Sequence, residues 1–241
     1  MNAIELRDMS VRRGRTMAVQ SVSLDVPQAR WFGVIGANGS GKTSLLRALA
    51  GRLECTVGSC LVHGVDLAGD RKARADAFGF MVPAENLPGP LTAQQLFRLI
   101  EPGEERWRPR AGPVWDALQI ERLLSRRIAT CSAGMRQRIA VAAAFVGASS
   151  TIILDEPFNW LDPVAATDLR SALRESVIQG VTLITALHDM ISLASCDTGI
   201  LLGKGKIIEA IDEKALELGR KDPFKFEIGI TEVLRLNSVL D

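Results

Sequence analysis

The sequence predicts an α/β fold on a largely parallel sheet, and three observations carry that expectation. An apolar run, Trp31-Phe32-Gly33-Val34-Ile35, leads into a glycine-rich loop and then into Ser44 to Ala50, a stretch of good helix formers. Two further β-rich runs, Thr151-Ile152-Ile153-Leu154 and Val181-Thr182-Leu183-Ile184-Thr185, are separated by a helical pattern from about Val164 to Gln179. Strands separated by helices pair in parallel, because the helix is the crossover that returns the chain to the same end of the sheet. Between them, from about residue 86 to 149, Pro88, Pro90, Pro102, Pro109 and Pro113 break a region whose intervening pieces are helical. That region reads as an inserted helical subdomain.

In chain order, residues 2 to 35 read as strands. Ile4, Leu6, Val19, Val22, Leu24 and Val26 alternate in part, and the run ends at Pro27 and Gln28. Gly51 closes the helix after the loop, and Gly58, Gly64 and Gly69 punctuate short strands. Asp70 to Ala77 is helical in composition, and Phe78 to Val82 reads as a buried strand. Ala93 to Ile100 and Val114 to Leu124 are the clearest helical pieces of the insertion. Past Gly219, Phe224, Phe226, Ile228 and Ile230 alternate with Lys225, Glu227 and Gly229, which predicts a half-buried strand followed by a short helix. The expected organisation is a core with a β subdomain over 1–85 and 150–218, a helical subdomain over 86–149, and a C-terminal extension over 219–241.

Composition narrows the function. A chain of 241 residues suits one large domain, and a net charge of +1 with dispersed arginines gives no electrostatic footprint for nucleic acid. The start alternates apolar with charged residues, so no signal peptide is expected. The longest uncharged run, between Arg138 and Asp155, is interrupted by Gly147, Ser149 and Ser150, too short for a membrane span. A cytoplasmic protein is the expectation. Four cysteines without a Cys-x-x-Cys pair point to reduced thiols. Cys55, Cys60 and His63 are close enough in sequence to be considered for a metal, but three candidates on a strand-like stretch favour buried or idle thiols.

The chemistry sits in Gly36-Ala37-Asn38-Gly39-Ser40-Gly41-Lys42-Thr43, which has the Gly, four residues, Gly-Lys-Thr spacing of a phosphate-binding P-loop in its strand-loop-helix context. Gly36, Gly39 and Gly41 let backbone amides curl around a triphosphate, and the helix start at Thr43-Ser44 adds its positive dipole end. Lys42 would place a point charge between the β- and γ-phosphates, and the Thr43 hydroxyl would hold Mg²⁺. A second acidic element, Asp155-Glu156, directly follows a β-branched run. It would bring Asp155 to the Mg²⁺ shell and Glu156 to an attacking water.

Three further motifs name a family. Cys131-Ser132-Ala133-Gly134-Met135-Arg136-Gln137-Arg138 resembles the signature of ATP-binding cassette ATPases, Asn159-Trp160-Leu161-Asp162-Pro163 is similar to their D-loop, and His188-Asp189 matches their switch histidine. The resemblance covers about residues 4 to 210. It implies a RecA-like P-loop NTPase core with an antiparallel β subdomain and an inserted helical signature subdomain. It further implies ATP with Mg²⁺ and head-to-tail dimers, homodimeric or with another such ATPase. Ser132 and Gly134 of one copy would then face the γ-phosphate on the other's Lys42, with Glu156 as base and His188 holding the transition state. Three departures stand out. Arg13 occupies the place of the usual adenine-stacking aromatic in a chain without tyrosine, and Ala84, followed by Glu85, replaces the Q-loop glutamine. Phe158 and Trp160 replace small residues at the D-loop, either as core or as dimer contacts. The function implied is the ATPase subunit of a transporter with separate integral membrane subunits, on the inner face of the membrane, with export expected because no large regulatory domain follows. The alternative is a soluble cassette ATPase acting as a nucleotide-gated clamp or regulator.

Overall fold

A computed structural model describes residues 1–238; the last three residues of the expected C-terminal extension lie outside the described residues. The chain runs β1 (Asn2–Arg13), β2 (Thr16–Pro27), β3 (Trp31–Ile35), α1 (Lys42–Leu49), β4 (Val57–Val62), β5 (Val65–Asp66), α2 (Arg71–Ala77) and β6 (Gly79–Phe80). It continues through α3 (Ala93–Ile100), α4 (Trp107–Ala111), α5 (Pro113–Ala117), α6 (Ala133–Val146), β7 (Thr151–Asp155), α7 (Pro163–Ile178), β8 (Thr182–Leu187) and α8 (Met190–Ala194). It ends with β9 (Thr198–Gly203), β10 (Lys206–Ile211), α9 (Glu213–Lys221) and α10 (Pro223–Ser238).

Six strands form the central sheet in the order β10-β9-β3-β8-β7-β6. Every pairing in it is parallel except that of β10 with β9. Four more strands make an antiparallel sheet, β2-β1-β4-β5. The central sheet is buried on both faces, which its sequence reflects as continuous apolar runs rather than alternation. Phe32, Val34, Ile153, Ile184 and Ile200 point into one core, shared with α1 through Leu45, Leu46 and Leu49 and with the antiparallel sheet through Ile4, Leu6 and Val22. Trp31, Ile35, Ile152, Leu154, Leu183 and Leu187 point into the other, shared with Ile139 and Phe145 of α6 and Leu169 and Leu173 of α7. Neighbouring residues of one strand thus feed opposite cores, as the period of two requires. Phe97 anchors the helical part, meeting Trp107 edge-on at 5.7 Å and Trp115 at 6.0 Å.

Three local expectations are corrected. The alternation from Phe224 to Ile230 is not a strand but the first turns of α10. Phe226, Ile230 and Val233 pack on the core at helical spacing, while Phe224 and Ile228 are exposed. The helix expected over Val114 to Leu124 stops at Ala117, because Gln119 takes a left-handed φ of 53° and a short 3₁₀ turn follows. The strand expected over Phe78 to Val82 shrinks to Gly79–Phe80 at the sheet edge, just before Pro83. Among the described residues no helix is long and apolar enough to cross a membrane.

Candidate active site

The loop between β3 and α1 is wedged into the fold where side chains would not fit. A Cβ on Gly36 would lie 2.1 Å from the Leu202 carbonyl oxygen, and one on Gly41 would lie 2.3 Å from that of Ala18. Gly41 also holds a φ of 106°, which strongly favours glycine, and it opens α1 without any side-chain cap. The first amides of α1 therefore remain available to an anion. The loop is braced from outside, since Gly205 N–H donates to Ser40 O at 2.8 Å and Gln20 N–H donates to Gly205 O at 2.7 Å.

Lys42 is only 5 % exposed, and its Nζ donates to Gly36 O at 2.7 Å. Burial pushes its pKa down, against the nearby carboxylates of Glu156 and Asp155, which push it up. Asp155, at the end of β7, shows the complementary effect. Burial raises its pKa most; the Thr43 hydroxyl bond lowers it, the Glu156 charge raises it, and Arg47 and Lys42 lower it. One Asp155 oxygen, Oδ1, is buried with no partner, as is Ser40 Oγ. Buried polar atoms left without a partner are satisfied when an ion or ligand enters. An orphan carboxylate oxygen beside a threonine hydroxyl is the all-oxygen donor chemistry that a hard divalent cation takes.

Two adjoining clefts meet at Thr43, Arg47 and Glu156. The first, about 720 Å³, is lined by Asn38 to Ser44 and opens between the β1–β2 hairpin, where Arg13, Thr16 and Met17 stand, and the Lys204-Gly205 turn. The second, about 660 Å³, runs past Asp155, Asn159 and Trp160 to Ala84, Glu85, Ala133 and Arg136. Thus Asn38, Gly39, Ser40, Gly41, Lys42, Thr43, Ser44, Asp155 and Glu156 come together, and Arg13 and Glu85 stand on the walls. Gly36 lies beneath the loop and Ala37 faces outward. Ser132, Gly134 and His188 line neither cleft. Ser132 is exposed and caps α6 by accepting from Met135 N–H at 3.2 Å, and His188 is exposed just past β8.

The two aromatic residues of the D-loop part company. Phe158 is 9 % exposed, with the Arg170 guanidinium 5.2 Å from its ring centre, whereas Trp160 is 72 % exposed. The Trp160 carbonyl lies where a Cβ on Gly134 would come within 2.7 Å, so α6 and this loop meet backbone to backbone. Away from the clefts, the His63 ring is hydrogen-bonded on both sides, to Gln28 at 3.3 Å and Thr151 at 3.3 Å. Burial raises the Cys60 thiol to about 12 and raises the Cys55 thiol as well.

One contact was not foreseen from the sequence. Gln137 of α6, 3 % exposed, donates through Nε2 to the carbonyls of Glu156 and Pro157, each at 3.0 Å. The available signal was a lone amide followed by the apolar run Ile139 to Val146.

Residues 19–159, more than half of the chain, match the family model described as ABC transporter. A putative ABC transporter ATP-binding protein of Halobacterium salinarum is 34 % identical over 193 residues, covering 78 % of this chain and 83 % of that protein. The sulfate/thiosulfate import ATP-binding protein of Escherichia coli is 30 % identical over 219 residues, 86 % of this chain but 60 % of the relative. A bacterial ABC transporter cassette solved as a dimer superposes with a TM-score of 0.77 at 24 % identity, over 87 % of this chain and 98 % of that one. With the P-loop, the acidic strand end and the signature helix assembled around two adjoining clefts, the chain belongs to the ATP-binding cassette transporter family, as an ATP-binding subunit and an ATPase.

Proposed function

We propose that this chain hydrolyses Mg-ATP between two cassettes, itself and a second copy or a related ATPase, and that closure of the pair energises transport through separate integral membrane subunits at the inner face of the membrane. The observation that carries the reading is the convergence, where the two clefts meet, of the buried Lys42 with the half-buried Asp155 and the adjoining Glu156. Lys42 donates to loop carbonyls, and it would turn to the β- and γ-phosphates when they arrive. The amides from Gly36 to Ser44 would cradle the phosphates. Thr43 and Asp155 would hold Mg²⁺, whose charge offsets that developing on the phosphate oxygens. Arg13 would stack on the purine in place of an aromatic ring.

In this reading Glu156 takes the proton of the attacking water. Ser132, the Gly134 amide and His188 act on the γ-phosphate at the seam between cassettes, which accounts for the exposure of Ser132 and His188. The helical part over 86–149 would present the surface near Ala84 to Pro90 to a helix of the membrane subunit. Export remains the expected direction, although the relatives include an importer. Purification of the chain from native membranes tests the reading. It should bring down a polytopic membrane protein together with magnesium-dependent ATPase activity; a chain that hydrolyses ATP but associates with no such protein would contradict the transport assignment.

A further inference from the structure

The loop after β7 holds a contact that the reading above does not use. Glu156 has a left-handed φ of 53°, and its N–H donates to Ala186 O at 3.1 Å. Three residues on, Asn159 Nδ2 donates to Glu156 Oε2 at 2.7 Å. The identity of the Asn159 atom follows from chemistry: an ionised carboxylate only accepts, so the amide must face it with nitrogen. Gln137 holds the Glu156 and Pro157 carbonyls, and at the far end the Trp160 carbonyl rests on Gly134. Both ends of the loop are therefore held by the first turns of α6.

We infer that Asn159 is a positioning residue that fixes one oxygen of the Glu156 carboxylate, leaving Oε1 to receive the proton of the attacking water. The inference rests on Glu156 being the base. In that step a proton of the water passes to Oε1 and the water oxygen's electron pair bonds to the γ-phosphorus. The bond from that phosphorus to the bridging oxygen breaks, its electron pair leaving on ADP. Glutamate has three side-chain torsions, and an untethered one spreads over several rotamers. Holding one oriented rotamer raises the productive fraction about tenfold. Because Ser132 caps α6 and Gln137 of α6 holds the Glu156 carbonyl, the loop that carries the base is tied to the helix that carries the signature residues.

Steady-state kinetics on Asn159→Ser, Asn159→Ala and Asn159→Asp test this, with thermal melting to confirm that each folds. Serine keeps a donor, alanine removes it, and aspartate keeps the shape but opposes Glu156 with an acceptor. The expected order of kcat is wild type, serine, alanine, aspartate. Alanine should lose about tenfold and aspartate more, with KM for ATP held within about twofold. If aspartate is tolerated as well as asparagine, Asn159 only fills space; if KM rises in place of a fall in kcat, it serves nucleotide binding. Either result overturns the inference. Glu156→Gln separates the two levels: full activity in that variant would remove the base assignment itself. An inactive Glu156→Gln beside fully active Asn159 variants would remove only the positioning role.

Discussion

The phosphate-loop side and the signature end of the site are built on opposite terms. On the loop side Lys42 and Ser40 are buried, Gly36 and Gly41 are wedged under neighbouring carbonyls, and Asp155 carries an orphan oxygen. At the signature end Ser132 and His188 are exposed, and Trp160 projects into solvent at a left-handed φ of 64°. The first half contains a buried charge arrangement that only a ligand completes. The second half is at rest in solvent, with Ser132 spent on capping its own helix. The difference teaches that substitutions on one side should be felt in stability and chemistry together, and on the other in chemistry alone.

The largest effect expected is that of Glu156→Gln, which should lower kcat by about a thousandfold while ATP still binds. An unchanged hydrolysis rate would remove the role assigned to this residue. Next, Ser132→Asp, which keeps the helix cap but turns a negative charge toward the γ-phosphate, should cost about a hundredfold in hydrolysis with no loss of ATP binding by the single chain and no change in melting temperature. A fall in melting temperature there would break the contrast between the two ends. On the loop side, Gly36→Ala should destabilise the chain by about 2–3 kcal/mol, because a methyl group has to displace the Leu202 backbone. Calorimetry reads this as a lower melting temperature, and a neutral result would mean that the loop is not wedged.

The smallest effect has the opposite sign. Burial holds the Asp155 pKa above the ordinary aspartate value of 3.8, so its charge costs stability at neutral pH. Asp155→Asn should therefore raise the nucleotide-free melting temperature by about 2–4 °C while abolishing magnesium-dependent hydrolysis. The gain should shrink as pH falls through the raised pKa toward 3.8, where wild-type Asp155 takes up its proton. A variant less stable than wild type at pH 7 would show that Thr43, Arg47 and Lys42 outweigh the burial.

Much of this site was legible in the sequence because its chemistry is local. Lys42 and Thr43 follow their glycines at fixed spacing, and Asp155-Glu156 ends a strand that its β-branched residues announce. What was not legible depends on contacts across the fold. The bonds from Gln137 to the Glu156 and Pro157 carbonyls require α6 to lie against the loop after β7, and no spacing rule encodes that. The misread helix α10 has a different cause. Phe224, Phe226, Ile228 and Ile230 satisfy a period of two, while Phe226, Ile230 and Val233 also satisfy a helical period, and packing against the core selects the second. The roles of Phe158 and Trp160 were equally open, since burial alone separates them.

The central claim is that ligand closes two cassettes on each other, and solution mass measurement of the Glu156→Gln chain tests it most directly. With Mg-ATP the protein should double its mass and retain one nucleotide per chain, and it should return to single chains when nucleotide is removed. A chain that binds one ATP with undiminished affinity and stays monomeric, both alone and with the related ATPase that would pair with it, would contradict the account.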